Sequence, residues 1–297
     1  MSASEPKAGL SKRARIWIRL TVAPLLLAFL LGVLWLHDST GRSLPTDLLL
    51  LLFGVGGALE LARLFEQAGR PIVGWVATVT SGLLAGIGLS GFDAAGRMEL
   101  RVVVLAVALV TLLVLHLKDT RPVAVERIAN TFVPILFVGL LLSFTRELGD
   151  GAQGARMYAW VALTAKASDM AGWIVGVPFG KHKMIPSVSP GKSWEGFVAG
   201  LVASAAVAAW LPGPLGLPVA AWGSVQLALF GLAVGGASIL AGVMWSGWKR
   251  RLGTKDSSPL IPEIGGVMDL VDSMLLAAPV AWAWIRLGLD PTGTGIG

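Results

Sequence analysis

Long apolar runs separated by short polar segments organise this chain. The runs fall at 16–36, 47–65, 72–91, 100–117, 129–144, 157–177, 194–211, 219–245 and 267–287. A helix rises 1.5 Å per residue, so about 20 apolar residues cross a hydrocarbon core of about 30 Å. The pattern predicts an all-α, polytopic integral membrane protein with about nine transmembrane helices and its N-terminus in the cytoplasm. The run at 16–36 is longer than a signal-peptide core and lacks a small-residue cleavage motif, so it reads as a retained anchor. Residues 1–15 read as a polar, basic cytoplasmic tail, and residues 290–297 carry no packing signal.

Composition agrees with this picture. Of 297 residues, 55% are hydrophobic and 14% charged, and the mean hydropathy is +0.73. Soluble proteins carry about 25% charged residues. There is no cysteine, which excludes disulfide and thiolate chemistry, and His37, His116 and His182 lie far apart. The net charge of +6 reads as membrane topology plus anionic substrates, and so apolar a chain gives no support to a nucleic-acid partner. With the N-terminus inside, the outer segments hold only Arg42, Arg97, Arg101, Arg146, Arg156 and Arg286, far fewer cations than the inner segments. That bias predicts an N-in, C-out topology and puts loops 178–193 and 246–266 on the cytoplasmic face. The helices divide into an N-terminal set, 16–155, and a region holding the candidate chemistry, 156–289.

That chemistry clusters in 246–272, SGWKRRLGTKDSSPLIPEIGGVMDLVD. Lys249, Arg250, Arg251 and Lys255 supply cations, and Asp256, Asp269 and Asp272 supply carboxylates. On a helix, the i,i+3 spacing of Asp269 and Asp272 puts their Cβ atoms about 5–6 Å apart. Hard cations such as Mg²⁺ take carboxylate oxygens and add substrate phosphates. The alternative is a solvated juxtamembrane loop with an acidic helix start. The second basic segment, FGKHKMIPSVSPGKSW, carries Lys181, Lys183, Lys192 and Ser193, the last just before a helix start suited to phosphate. It is not a P-loop, because Pro186 stands where that motif needs glycine. Within the apolar runs, Glu60, Arg63 and Glu66 read as an interfacial ion-pair cluster. Lys166 and Asp169 read either as a mutual ion pair or, with Ser168, as Asp169 ligating a metal or a polar substrate group.

Taken together, the two segments resemble the phosphatidate cytidylyltransferases (CDP-diacylglycerol synthases). The family signature is approximately S-x-x-K-R-x4-K-D-x-[small]-x2-[apolar]-P-x-H-G-G-x2-D-R-x-D. Ser246, Lys249, Arg250, Lys255, Asp256, Ser258, Ile261, Pro262, Gly265, Gly266, Asp269 and Asp272 fall in register with it. SDMAGWIVGVPFGKHKMIPSVSPGKSWEG is similar to the family's Asp-containing helix and its GKHK…SPKKTWEG segment. Two positions depart: Ile264 replaces the family's His, and Leu270 replaces its Arg.

The resemblance implies transfer of CMP from CTP to phosphatidic acid, giving CDP-diacylglycerol and pyrophosphate. It implies Mg²⁺ held by Asp256, Asp269 and Asp272, with Asp169 as a further ligand, and leaves a second, monovalent cation open. Lys249, Arg250 and Lys255 would hold the triphosphate and pyrophosphate. Lys181, Lys183 and Lys192 would flank the nucleotide or the lipid phosphate, and Gly265 and Gly266 would let backbone approach phosphates. The expected setting is the lipid bilayer of a bacterial inner membrane, with the active site facing the cytoplasm; homodimerisation is left open. The rival readings are a cytidylyltransferase acting on another lipid phosphate, a pseudoenzyme, and a membrane transporter.

Overall fold

The computed structural model describes residues 12–117, 122–151, 153–254, 258 and 265–287. Its helices are α1 (Lys12–Thr40), α2 (Leu44–Gln67), α3 (Gly74–Ala85), α4 (Ala94–His116), α5 (Pro122–Pro134) and α6 (Leu141–Glu147). They continue as α7 (Gly154–Phe179), α8 (Trp194–Trp210), the short α9 (Pro212–Leu215), α10 (Ser224–Arg251) and α11 (Val267–Arg286). Among the described residues, five stretches are helical, long and apolar enough to cross a membrane: Leu44–Gln67, Ala94–His116, Val123–Glu147, Ser224–Arg251 and Val267–Arg286. The third runs through α5 and α6 with a π-helical turn, Ile135–Leu140, between them. Pro134 lies just before that turn; proline lacks an amide donor and crowds the preceding turn, which widens the helix locally.

The apolar runs are not all single helices. The run at 72–91 is helical for 12 residues, stops at Gly86 and goes on as a 3₁₀ turn, Ile87–Ser90. Twelve residues of α-helix cover only about 18 Å. The segment 178–193, expected as a plain loop in an all-α chain, contains a two-stranded antiparallel hairpin, β1 (Lys183–Ile185) and β2 (Ser189–Ser193).

α11 is the central strut. It packs against α10, α7, α6 and α2. Around its C-terminal half lies a cluster that includes Trp160, Phe230, Trp222, Ala277 and Ala281, with Trp160 stacked on Phe230 at 4.4 Å between ring centroids. Around its N-terminal half lies a second cluster, with Leu61, Phe65, Val138, Leu142, Trp245, Met268 and Leu275. This cluster joins α2 and α6 to α10 and α11, so the core runs across the division at residue 155.

Small residues bring the helices near the candidate site close together. A Cβ at Gly196 would stand 2.6 Å from the Gly172 carbonyl oxygen, and one at Gly200 would stand 2.7 Å from that of Ser168. Such contacts let α7 and α8 approach backbone to backbone, and the end of β2 follows them inward. At the far end of the bundle, Arg97, Arg101 and Arg146, read above as outer-segment charges, are buried. They pair with Glu147, Asp150 and Asp47 instead of facing solvent.

Candidate functional site

The chemistry-bearing side chains meet where the start of α11, the second half of α10, the middle of α7 and β2 converge. Asp269 stands in the first turn of α11 and is 19% exposed. Its Oδ1 accepts from Trp245 Nε1 at 2.8 Å and from Lys249 Nζ at 2.9 Å. Its Oδ2 accepts from the Gly266 amide at 3.2 Å. Asp272, 22% exposed, turns toward α7: Lys166 Nζ lies 3.7 Å from its Oδ1. The i,i+3 pair therefore looks to two different ammonium groups.

Lys166 thus pairs with Asp272 on α11 rather than with Asp169 on its own helix. Ser238 Oγ of α10 lies 3.5 Å from Asp169 Oδ2. Ser168 is fully buried, and its hydroxyl donates to the Ala165 carbonyl at 2.6 Å, which points it into its own helix rather than toward a ligand.

Lys192 reaches the same place from β2. Its ammonium donates to the Ile239 carbonyl at 3.0 Å. It stands over Gly242, 3.0 Å from where a Cβ would be, and Asp272 Oδ2 lies 3.9 Å from that same point. Burial pushes the Lys192 ammonium below the ordinary lysine value, a shift that the charges of Asp169 and Asp272 oppose. Three ammonium groups, Lys166, Lys192 and Lys249, are interleaved with Asp169, Asp269 and Asp272.

The remaining predicted residues lie around this centre. Lys181 and Lys183 are exposed on the hairpin arm, and Arg250 is exposed at the end of α10, where its Nη1 donates to the Thr254 carbonyl at 3.4 Å. Ser193 is buried as the N-cap of α8, its hydroxyl accepting from the Gly196 amide. Ser246 donates to the Gly242 carbonyl one turn back. His182 Nδ1 lies 2.7 Å from Glu195 Oε1, tying the hairpin to the start of α8. Leu270, where the signature has arginine, packs against the apolar cluster shared by α2, α6, α10 and α11. Lys255, Asp256 and Ile264 lie outside the described residues.

Gly265 and Gly266 have carboxylates beside them. A Cβ on Gly265, whose φ is 120°, would overlap Asp269, and one on Gly266 would overlap Glu60. Glu60 is buried against α11 while Arg63 and Glu66 are exposed, so the three do not form one interfacial cluster. Sequence reasoning also missed Trp245, Ser238 and Gly242. None of these has a local chemical signal, since an indole, a hydroxyl and a glycine are ordinary occupants of an apolar helix.

Among the described residues, no group of three or more His, Asp or Glu side chains is close enough to form a metal cage. Asp269 and Asp272 are hard oxygen donors at a partly open position. Such a pair suits a Mg²⁺ ion that keeps waters and substrate phosphates among its ligands, rather than one enclosed by protein.

Curated relatives described as phosphatidate cytidylyltransferases include one from Mycobacterium bovis (strain ATCC BAA-935 / AF2122/97). It is 37% identical over 164 residues, 54% of this chain and 50% of that protein. One from Haemophilus influenzae (strain ATCC 51907 / DSM 11121 / KW20 / Rd) is 33% identical over 151 residues, 50% of this chain and 52% of that protein. The protein YnbB of Escherichia coli (strain K12), described as uncharacterized, is 35% identical over 133 residues, 45% of this chain and 43% of YnbB. The chain spans about half the length of the curated relatives it matches. The family model described as "Cytidylyltransferase family" matches residues 17–287, from α1 to the end of α11, and the chain belongs to that family.

Proposed function

We propose that this protein transfers CMP from CTP to phosphatidic acid, releasing pyrophosphate and forming CDP-diacylglycerol at the cytoplasmic face of a bacterial inner membrane. The observation that carries the reading is the convergence of Lys166, Lys192 and Lys249 with Asp169, Asp269 and Asp272 in a member of the cytidylyltransferase family. A phosphate monoester has a second pKa near 6, so phosphatidate is largely dianionic at neutral pH and attacks without a general base. One of its oxygens bonds to the α-phosphorus of CTP in line, and the bond from that phosphorus to the bridging oxygen breaks. The electron pair leaves with pyrophosphate.

Protein groups then have two tasks, alignment and neutralisation of spreading negative charge. Lys166 faces the phosphates from α7, Lys249 from α10, and Lys192 from β2, where it lies over α10. Asp269 and Asp272 hold these ammonium groups in place and would complete the coordination of Mg²⁺ carried by the nucleotide. When bound, that ion neutralises phosphate charge. Acyl chains enter between helices from the bilayer. The departures Ile264 and Leu270 favour one second reading, a cytidylyltransferase acting on a different lipid phosphate, because an apolar side chain at either position cannot bind phosphate.

The test mixes purified protein in detergent with phosphatidic acid, Mg²⁺ and α-labelled CTP. Labelled lipid is expected, and it should vanish with EDTA and in Asp272→Asn protein that remains folded. Undiminished labelling by Asp272→Asn would refute the role given to that carboxylate. A folded wild-type protein that labels only another lipid phosphate would establish the second reading.

A further inference from the structure

The start of α11 is closed by a carboxylate from the first part of the chain. Glu60 on α2 is only 6% exposed. Its Oε2 accepts from the Met268 amide at 3.4 Å, across 208 residues of sequence. Its carboxylate fills the space that a Gly266 side chain would need. On the preceding residue Asp269 does the same, filling the space over Gly265 and accepting from the Gly266 amide. The first amides of a helix lack partners within it and carry its positive end, so two carboxylates there satisfy both needs. α2 is seated for this contact by glycines one turn earlier. A Cβ at Gly56 would stand 3.0 Å from Val267 Cγ2, and one at Gly57 would stand 3.0 Å from Met268 Sδ.

We propose that Glu60 is a positioning residue for the cytidylyl-transfer site, an inference that rests on the function proposed above. By fixing the first turn of α11 it sets the rotation of that helix about its axis. The rotation turns Asp269 toward Trp245 and Lys249, and Asp272 toward Lys166 and Lys192. Glu60 itself touches neither substrate.

The experiment compares wild type, Glu60→Gln, Glu60→Asp and Glu60→Ala by two measurements in detergent. One is amide hydrogen exchange across 265–272, with α7 residues 157–165 as an internal reference. The other is steady-state labelling of lipid from CTP. Glu60→Ala should speed exchange in 265–272 about tenfold, the size expected when a capping acceptor is lost, and leave 157–165 unchanged. Its kcat should fall at least as far while KM for CTP stays nearly constant. Glu60→Gln retains a carbonyl acceptor and should recover slow exchange and most of kcat.

If Glu60→Ala loosens the whole protein, Glu60→Asp, one methylene shorter, decides instead with the same local pattern at smaller amplitude. Unchanged exchange at 265–272 overturns the proposal, as does faster exchange with undiminished kcat. If even wild type labels no lipid, the proposed function fails, and the exchange measurement alone still decides whether Glu60 holds α11.

Discussion

In the proposed reaction Lys192 is a phosphate-facing cation whose pKa burial lowers. Its ammonium sits under protein with Asp169 and Asp272 as acidic neighbours, Lys166 beside Asp272, and the Ile239 carbonyl as hydrogen-bond acceptor. Burial lowers its pKa from 10.5, the two carboxylates only partly offsetting this. The sign for stability follows from the protonated form being the costly one. The cost is fully present at neutral pH and is relieved as pH rises through the lowered folded value toward 10.5. Activity should run the other way, because only the ammonium neutralises phosphate. The alkaline limb of kcat/KM should lie below 10.5. Lys192→Arg, whose guanidinium stays charged, should move it upward, and Lys192→Met should reduce kcat/KM by about tenfold or more, as loss of a charge-assisted contact does. A limb that does not move in Lys192→Arg would assign the titration to another group. The residue type and its basic segment were readable from sequence. Its depth was not, because that depth depends on how closely α8 approaches α7.

Helix geometry decides which sequence expectations carry through. The i,i+3 spacing of Asp269 and Asp272 is a local property, and α11 begins at Val267 as its apolar run predicts. The partners of the two carboxylates come from α10, α7 and β2, whose placement is set by packing, so no spacing rule names Trp245, Lys166 or Lys192 as their neighbours, or Glu60 on α2 as the acceptor for the Met268 amide. The break at Gly86 and the hairpin at 183–193 were hidden for a related reason. Hydropathy records where a segment is apolar, not whether its backbone stays helical. Gly242 offers a test at this level. Glycine inside a helix costs about 0.5–1 kcal/mol relative to alanine, so Gly242→Ala should leave the melting temperature in detergent unchanged or raise it. Its Cβ would press on the Lys192 ammonium at 3.0 Å, so turnover should fall several-fold despite equal or better stability, and Gly242→Val should lower turnover further. If Gly242→Ala turns over as wild type, Lys192 has room to move and its position over Gly242 is not required.

The proposed reaction centre and a buried ion-pair network lie at opposite ends of the bundle. α11 has 20 residues, about 30 Å of helix, with Asp269 and Asp272 at one end and Arg286 at the other. Near the second end Arg97 and Arg101 both bind Glu147, at 2.9 and 2.6 Å. Arg146 binds Asp47 at 2.8 Å and Asp150 at 2.6 Å. A cavity of about 450 Å³, lined in part by Glu147, Asp150, Trp282 and Arg286, adjoins this network. Although Glu147 pairs with two arginines from α4, removing its charge would leave both guanidiniums buried without their main partner. Breaking a buried pair from one side costs about 3–5 kcal/mol. Glu147→Gln should therefore lower the melting temperature in detergent by several degrees. Because the network is a helix length from the carboxylate–lysine centre, the fraction that remains folded should keep its KM for CTP and nearly all of its kcat. The two effects separate when turnover is measured well below the transition and normalised to folded protein. A variant with wild-type stability and lost turnover would mean that the far end takes part in the reaction cycle. Lost stability with turnover intact would mean that its buried arginines serve to hold α4 and α6 together.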